Sequence, residues 1–524
     1  MNKPKQMVPY FAFLLFFWIF TIYTGIMGID FGKHWDERKL IKSVRDSIPN
    51  GEIIPGWYNY PSLTYDLVVA SSSPEILSAY FYNRPEFKSS METWFSSKPM
   101  ILRARAVFLF TTSLTMLWIF FLAFKWTGYW ITGLLGSAVF ASSWEIAYHA
   151  RWLAPDGILM QFGILTIVLV FAAIYSDPGR SRYIWLTSAA VTAGLACGTK
   201  YYGGIFLVPV LIGVIKIVRD AGSGWVKSAV LFASQILVFA VVFLLVTPGI
   251  LVEADKFIQD VQFEIEHYQS GHPGYGVNPG IEHASLLFFY ISLVAFSKHS
   301  GISVLFFILI MIGFFVTIRD SWNKLETWVF LSVPLLYIPY MSLQKVMFVR
   351  NYLLLFPFLA ILAARGVLAA WYSYPLRRYR ALRLLIGGGL VLALSINLAW
   401  LYSSAKSIST REHVDQTQEL HWYLLKNDQT KYYVSAPTYR FIPAENLNTL
   451  SNIVDQPSQA DFYMFLSHEV ANPQANRLGT YTPIFGPFEV NFDYYPSWDG
   501  DSRIIVMPMK DALRQSQFGI QDEQ

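Results

Sequence analysis

Long apolar segments recur along this chain, separated by short polar turns. Most of them have the roughly 17–25 residues that a helix needs to cross a bilayer. The spacing predicts eleven membrane-spanning helices, over residues 8–28, 106–124, 129–147, 156–175, 184–199, 201–218, 228–250, 301–318, 327–343, 351–371 and 384–403. A further apolar run at 284–297 is too short to cross comfortably, and we expect it to form a helix on the membrane surface.

The lysines and arginines predict which side each turn faces, because cytoplasmic turns carry an excess of them. With the N-terminus inside, the inward turns hold fourteen cations: Lys3, Lys5, Lys125, Arg180, Arg182, Lys216, Arg219, Lys227, Arg319, Lys324, Arg377, Arg378, Arg380 and Arg383. The short outward turns hold four: Arg151, Lys200, Lys345 and Arg350. We therefore expect a cytoplasmic N-terminus and two long outer loops, at 29–105 and 251–300.

The pattern changes after residue 404. The stretches "KYYVSAPTYRFIP", "ADFYMFLS" and "SRIIVMPM" have the composition of short strands, and Pro, Asn and Asp separate them. The fold class that follows is a mainly α, polytopic membrane protein with a small C-terminal α/β domain. We predict a transmembrane domain over 1–404 and an extracytoplasmic domain over 405–524.

Composition agrees with a membrane protein. Hydrophobic residues make up 54% of the chain and charged residues 15%, against roughly 25% charged in an average soluble domain. The mean hydropathy is +0.37. A net charge of +4 gives no support for a nucleic-acid partner. The single cysteine, Cys197, excludes an intrachain disulfide and argues against a cysteine-based zinc site.

Polar chemistry collects in the outward turns. Three of them read "YHARWLAPD" (148–156), "GTKYYGG" (198–204) and "QKVMFVRNY" (344–352), and they face the side that holds Asp36 and Glu37. Ionisable groups at membrane depth are costly and usually functional. Each cation alone also fits a side chain that extends from a helix end to the interface. The acidic pair alone also fits the start of a surface helix.

Taken together and in this order, these motifs resemble the GT-C glycosyltransferases of the protein O-mannosyltransferase and aminoarabinose-transferase superfamily (glycosyltransferase family 39-like). The matching features are the acidic pair after the first span, "YNYPSL", "RARAV", "HARWLAPDG", "AGLACGTKYYGG" and "VRNYLLLFPFLAILAARG". The resemblance covers about residues 8–370. It implies a GT-C bundle and a polyprenyl-phosphate-linked sugar as donor.

The resemblance also implies roles for single residues. Asp36 matches the catalytic base, and Glu37 follows it as the second catalytic residue. The residues expected to bind the donor phosphate are Arg151, Lys200, Arg350 and Tyr60. Supporting roles are expected for His149, Asp156 and Tyr201.

Two departures from the family pattern matter. Asn351 stands between Arg350 and Tyr352, where the family has an Arg-Tyr pair. The aminoarabinose branch has an acidic-Lys-Pro-Pro motif where this chain has "NYPS" (59–62), which argues against aminoarabinose transfer and against that branch's zinc site.

His267 and His272 are a candidate pair for a divalent metal. The alternative there is a polar amphipathic loop.

The expected function is transfer of a hexose or pentose from a polyprenyl-phosphate-linked donor to a hydroxyl of a protein, lipid or glycan, with inversion. The reaction would take place on the outer or luminal face, and we expect the plasma (inner) membrane. The main alternative is a multi-pass transporter or flippase of a lipid-linked or small polar substrate. Transporters commonly have repeated halves, and we find no internal repeat here. A third possibility is a membrane scaffold whose tail binds partners.

Overall fold

The computed structural model describes residues 7–27, 29–30, 35–222, 224–271, 276–373, 378–409, 420, 423–435, 450–466, 482–483 and 504–514. This part of the chain is mainly α-helical. The loop predicted to be the first outer loop holds four helices: α2 (Trp35–Ser47), α3 (Leu63–Ser71), α4 (Ser73–Tyr82) and α5 (Phe87–Phe95). Five shorter stretches are 3₁₀-helical: Ile48–Asn50, Arg84–Glu86, Tyr201–Phe206, Val349–Leu355 and Pro457–Gln459.

The remaining helices follow in chain order. They are α1 (Val8–Ile26), α6 (Lys98–Ser113), α7 (Thr115–Thr127), α8 (Trp130–Ala141), α9 (Trp144–His149), α10 (Pro155–Tyr175), α11 (Arg180–Cys197), α12 (Leu207–Asp220), α13 (Trp225–Val246), α14 (Gly249–Val252), α15 (Ala254–Ser270), α16 (Ile281–Leu293), α17 (Ser300–Ser321), α18 (Leu325–Ser342), α19 (Phe356–Tyr372), α20 (Arg380–Ser409) and α21 (Met509–Leu513).

Eight helical segments of the described chain are long and apolar enough to cross a membrane: Val8–Ile26, Lys98–Thr127, Pro155–Tyr175, Tyr201–Asp220, Trp225–Val246, Ser300–Ser321, Val349–Tyr372 and Ala381–Lys406. Each overlaps a predicted span. The other three predicted spans are helical too, as α8 with α9, α11 and α18. Helix α8 has 12 residues, which is about 18 Å against a bilayer core of about 30 Å. The count of eleven spans therefore stays a prediction.

Helix α16 covers the short apolar run. Its 13 residues make it about 20 Å long, shorter than a bilayer core. Its length agrees with the expectation that this run does not cross. Its position on the membrane surface stays a prediction.

The helical bundle is built around α10. This helix is buried on most sides and packs against α6, α7, α11 and α12. Helix α13 is the opposite case, since its one buried residue is Gln235. Helices α17 and α19 cross at two glycines: a Cβ on Gly313 would lie 1.9 Å from the Leu362 carbonyl oxygen, and one on Gly366 the same distance from that of Leu309. Small residues at such a crossing let two backbones touch.

The described residues divide into two compact units, one made of those within 1–271 and 277–402 and the other of those within 403–524 together with Gly276. The second unit contains four strands: β1 (Tyr432–Val434), β2 (Phe462–Leu466), β3 (Thr482–Pro483) and β4 (Ile504–Pro508). They form one sheet in the order β1-β2-β4-β3, in which β1 runs parallel to β2 and the other pairs are antiparallel. Each of the three predicted strand stretches contains a strand. The side of the membrane on which this unit lies stays a prediction.

Candidate active site

The acidic pair lies at the start of α2, directly after the first span. Consecutive residues on a helix point about 100° apart, so the two carboxylates meet different partners. Arg105 binds Glu37 through two nitrogens of one guanidinium edge, with Nε 2.8 Å from Oε1 and Nη2 2.6 Å from Oε2. The backbone N–H of Leu153 also donates to Glu37 Oε1, at 2.9 Å. Both charged side chains are about 95% buried.

This ion pair holds the backbone around it. Arg105 Nη1 donates to the Ile29 carbonyl oxygen at 2.7 Å, and its guanidinium lies 4.7 Å from the ring centroid of Trp152. The first outer loop, the start of the second span and the turn after α9 therefore meet at one carboxylate. Glu37 therefore joins these three segments.

Asp36 meets Arg350 instead. The Arg350 Nε lies 3.7 Å from Asp36 Oδ2, and the side chains keep exposures of 6% and 13%. Arg350 lies in the 3₁₀-helix Val349–Leu355, and its guanidinium is 4.4 Å from the ring centroid of Phe348. A separation of 3.7 Å is an ion pair without a short hydrogen bond.

Lys200 lies at the centre of a buried polar group. Its ammonium donates to Asp156 Oδ1 at 2.7 Å and to the Asn351 side-chain carbonyl at 2.9 Å. The same amide donates through Nδ2 to the hydroxyl of Tyr268 at 3.0 Å. The asparagine that departs from the family pattern thus joins Lys200 to a second element. The Lys200 charge is balanced by Asp156, which lowers what it can offer to an anion.

Tyr60 completes this group. The Lys200 ammonium lies 5.2 Å from the Tyr60 ring centroid and 5.3 Å from that of Tyr202, within the range of a cation–π contact. Burial raises the pKa of Tyr60 well above its ordinary value, and the charge of Asp36 raises it further. Tyr60 therefore stays protonated and can donate a hydrogen bond.

Helix α15 covers the site with one face. Asp260, Glu264 and Tyr268 are spaced by four residues, so they lie on the same side. Asp260 Oδ2 accepts from the Tyr58 backbone N–H at 2.8 Å, and Glu264 Oε1 accepts from Asn59 Nδ2 at 2.7 Å. These bonds tie the helix to the "YNYPSL" segment.

Tyr201 takes part in the same junction. Its hydroxyl donates to the carbonyl oxygen of Tyr58. The Tyr58 ring in turn fills the space above Gly249, where a Cβ would lie 2.1 Å from it. Tyr201 therefore supports the segment that carries Tyr60.

The structure thus brings together five of the residues expected at the site. They are Asp36, Tyr60, Asp156, Lys200 and Arg350. The contacts described for His149 run elsewhere: its Nε2 lies 3.2 Å from Glu145 Oε2, and Glu145 also accepts from the Tyr290 hydroxyl. Arg151 is buried and donates to the Thr24 carbonyl oxygen at 3.4 Å.

The metal hypothesis gains no support from the described residues, in which no group of three or more His, Cys, Asp or Glu side chains could hold an ion. The His267 ring instead stacks near Phe263 and Phe348, with centroids 6.2 and 6.3 Å away. His272 lies outside the described residues. The metal site therefore stays a prediction.

Several residues of the site were not predicted. Arg105, Asn351, Glu264 and Tyr268 all lie within it or support it. One signal was available for Glu264 and Tyr268, since the four-residue spacing from Asp260 indicates one face of a helix. The partners of Arg105 and Asn351 lie far away in sequence, and no local pattern identifies them.

Comparison with known proteins identifies one family model and several similar folds. Residues 66–259 match the family model of dolichyl-phosphate-mannose-protein mannosyltransferases. The crystal structure of ArnT from Cupriavidus metallidurans bound to undecaprenyl phosphate superimposes with a TM-score of 0.52, over 97% of this chain and 98% of that one, at 12% identity. Its apo state gives 0.51 at the same identity and coverage. The fold is that of a GT-C glycosyltransferase.

The predicted resemblance and the predicted fold class are therefore confirmed. The GT-C fold and the eight long apolar helices describe a multi-pass membrane protein. The oligosaccharyltransferase of Archaeoglobus fulgidus, in complex with zinc and sulfate, matches with a TM-score of 0.47 at 10% identity, over 90% of this chain and 71% of that chain. The comparison with curated protein sequences gives no match.

Proposed function

We propose that this GT-C protein transfers a hexose or pentose from a polyprenyl-phosphate-linked donor to a hydroxyl of a protein, lipid or glycan on the outer face of the membrane. The observation that carries the proposal is the ion pair of Asp36 with Arg350, 3.7 Å apart, beside a buried group made of Lys200, Asp156 and Tyr60. The residue that we propose as the base and the cation that we propose as a phosphate ligand are therefore neighbours. The match to mannosyltransferases and the ArnT complex with undecaprenyl phosphate agree with this chemistry.

The proposed reaction is a single displacement. The acceptor hydroxyl oxygen attacks the anomeric carbon, and its proton passes to the Asp36 carboxylate. The bond from that carbon to the phosphate oxygen breaks, and both its electrons leave with the polyprenyl phosphate. The attack comes from the face opposite the leaving group, so the anomeric centre inverts. Asp36 then gives its proton to water.

The cations act on the leaving group. Negative charge grows on the phosphate oxygen as the bond breaks, and guanidinium and ammonium groups in a water-poor site stabilise it. We rank Arg350 first, because its 3.7 Å contact with Asp36 is longer than a hydrogen bond. We propose Lys200 and the Tyr60 hydroxyl as the next phosphate ligands. We keep Arg151 as a proposed phosphate ligand and His149 as a proposed supporting residue. The contacts described for them neither support nor oppose these roles.

Glu37 has a different part in this proposal. Its carboxylate is already held by Arg105 and by the Leu153 backbone N–H. We assign it to positioning the turn that carries Arg151. No step of the proposed reaction passes through a metal. If a divalent ion is required after all, chelation would abolish turnover, and readdition would restore it.

The direct test uses purified protein in lipid nanodiscs with polyprenyl-phosphate mannose, glucose, galactose and arabinose. Release of polyprenyl phosphate, with transfer to a hydroxyl or to water, supports the proposal. The anomeric configuration of the product should be the inverse of the donor's. In proteoliposomes, movement of a lipid-linked sugar across the bilayer without its consumption would instead support a transporter. If the protein neither binds nor consumes any of these donors, the result would support the membrane-scaffold alternative.

The proposed orientation has its own test. Gly222 is in a turn predicted to face the cytoplasm, and Tyr82, 89% exposed, is in the first outer loop. Cysteine placed at 222 should react with an impermeant thiol reagent only from the cytoplasmic side, and cysteine at 82 only from outside. Cys197 is buried and should stay silent. Labelling of both positions from one side would contradict the topology.

A further inference from the structure

Helix α15 brings a second carboxylate to the site, and the reaction described above does not use it. Glu264 lies on the face of α15 that also carries Asp260 and Tyr268. Its Oε1 accepts a hydrogen bond from Asn59 Nδ2 at 2.7 Å. The side chain is partly exposed, in contrast to the closed pair at Glu37. Among the described residues, Asn59 is the hydrogen-bond donor to this carboxylate.

The position of Glu264 is fixed from both sides. One turn earlier, Asp260 holds the backbone of Tyr58, and one turn later the Tyr268 hydroxyl accepts from Asn351. The backbone carbonyl of Tyr268 also accepts from the Lys345 N–H at 3.0 Å. The helix cannot rotate without breaking all three contacts. The carboxylate is therefore held in one position, unlike that of a surface glutamate, which samples many conformations.

The surroundings of Glu264 are those of the active site. Its charge interacts with Lys200 and Arg350, which favour ionisation, and with Asp36, which opposes it. Burial is the larger effect and raises the pKa of Glu264. Whether ionised or protonated, the group keeps at least one oxygen that can accept a hydrogen bond.

The chemistry of a carboxylate limits what it can bind here. A phosphate is an anion, and at short range in a partly buried site the two charges repel. Sugar hydroxyls are neutral donors, and a carboxylate oxygen accepts from them. The sugar of the donor is bonded directly to the phosphate, so a phosphate near Arg350 and Lys200 brings the sugar ring close to their neighbours.

We infer that Glu264, held by Asn59, accepts a hydrogen bond from a hydroxyl of the donor sugar and so contributes to the choice of sugar. The inference rests on the proposed function, because it takes the phosphate to lie at the cations. It assigns the two ends of the donor to two sets of residues. Arg350 and Lys200 bind the phosphate, whereas Glu264 and Asn59 bind the sugar.

The test compares two ligands on the full-length protein in nanodiscs. One is polyprenyl phosphate without a sugar, and the other is whichever of the mannosyl, glucosyl, galactosyl and arabinosyl conjugates binds most tightly. Glu264→Gln should weaken binding of the conjugate about 10-fold, the scale of one hydrogen bond to a charged group, and leave plain polyprenyl phosphate unchanged. Asn59→Ala should act in the same direction with a smaller loss. Glu266→Gln, on the exposed side of the same helix, is the matched control and should change neither.

The outcomes separate the possibilities. Loss of both ligands in Glu264→Gln would overturn the inference, because it would indicate a phosphate ligand or a structural residue. Unchanged donor binding with a raised KM for the acceptor would overturn it in favour of an acceptor contact. If wild-type protein binds neither polyprenyl phosphate nor any conjugate, the proposed function fails first and the inference fails with it.

Discussion

Asp36 and Glu37 are neighbours in sequence with the same charge, and the structure gives them opposite environments. Glu37 meets a guanidinium through two hydrogen bonds and a backbone N–H through a third. Asp36 meets a guanidinium across 3.7 Å and keeps some exposure. These bonds occupy three of the roughly four lone-pair sites of the Glu37 carboxylate, which makes it less available to accept a proton. We propose that the partners of each residue, rather than the acidic motif itself, decide which residue can act as a base.

The strongest test of this comparison is Asp36→Asn. The amide keeps the size of the side chain but cannot take the acceptor proton, so turnover should fall by at least about 100-fold. Donor affinity should stay the same or increase, because Arg350 loses a competing anion. Turnover and calorimetric binding of the donor are measured separately. Asp46→Asn, on the exposed side of the same helix, is the control. Near-normal turnover in Asp36→Asn would show that Asp36 is not the base.

Glu37→Gln should fail in a different way. It leaves the Arg105 guanidinium buried without its anion, and breaking a buried pair typically costs about 3–5 kcal/mol. We expect a lower unfolding temperature in detergent, with turnover per folded molecule reduced far less than in Asp36→Asn. The double variant Glu37→Gln/Arg105→Met should recover part of the stability, because no charge then remains unpaired. A stable but inactive Glu37→Gln would instead make Glu37 the base.

Removing single cations tests which residues bind the donor phosphate. Charge-assisted contacts contribute about 1.5–3 kcal/mol, so Arg350→Gln, Lys200→Gln and Arg151→Gln should each weaken donor binding roughly 10–100-fold. Arg350→Gln should show the largest loss, because Lys200 already pairs with Asp156. Lys345→Gln is the control, as an exposed cation of the same outer turn. Unchanged affinity in all three variants would remove these residues from the phosphate site.

Asp66 provides the third case, a carboxylate of the same outer loop whose pKa burial alone raises to about 7. In the unfolded chain its pKa is near 4. The folded state therefore holds more protons between these values, and stability falls as the pH rises through this range. Asp66→Asn should flatten that decline. Unfolding temperatures measured from pH 5 to 8 test it, and an identical slope in the variant would contradict the assignment.

Local pattern predicted the long apolar helices, because a bilayer requires them, and three of the four described strands, because their composition and the flanking Pro, Asn and Asp are typical of strands. It did not predict α3, α4 and α5. It did not settle the number of spans, since α8 is too short to cross by itself. The grouping of Asp36, Tyr60, Lys200 and Arg350 came from the family resemblance. The contacts of Glu37 and Asn351 could not be predicted. Both depend on partners far along the chain, and sequence spacing carries no information about which long-range pairs form.

The pairing of Asp36 with Arg350 also has a consequence for how the protein is made. The two residues are roughly 300 positions apart, and a ribosome adds about 5–20 residues per second, so about 15–60 s pass between them. During this interval Asp36 is already synthesised, but its partner Arg350 is not. Lys200 is likewise synthesised before its partner Asn351. A nascent chain released before residue 350 carries every acidic group of the site and lacks its principal cation. Catalytic competence therefore arises late in biogenesis.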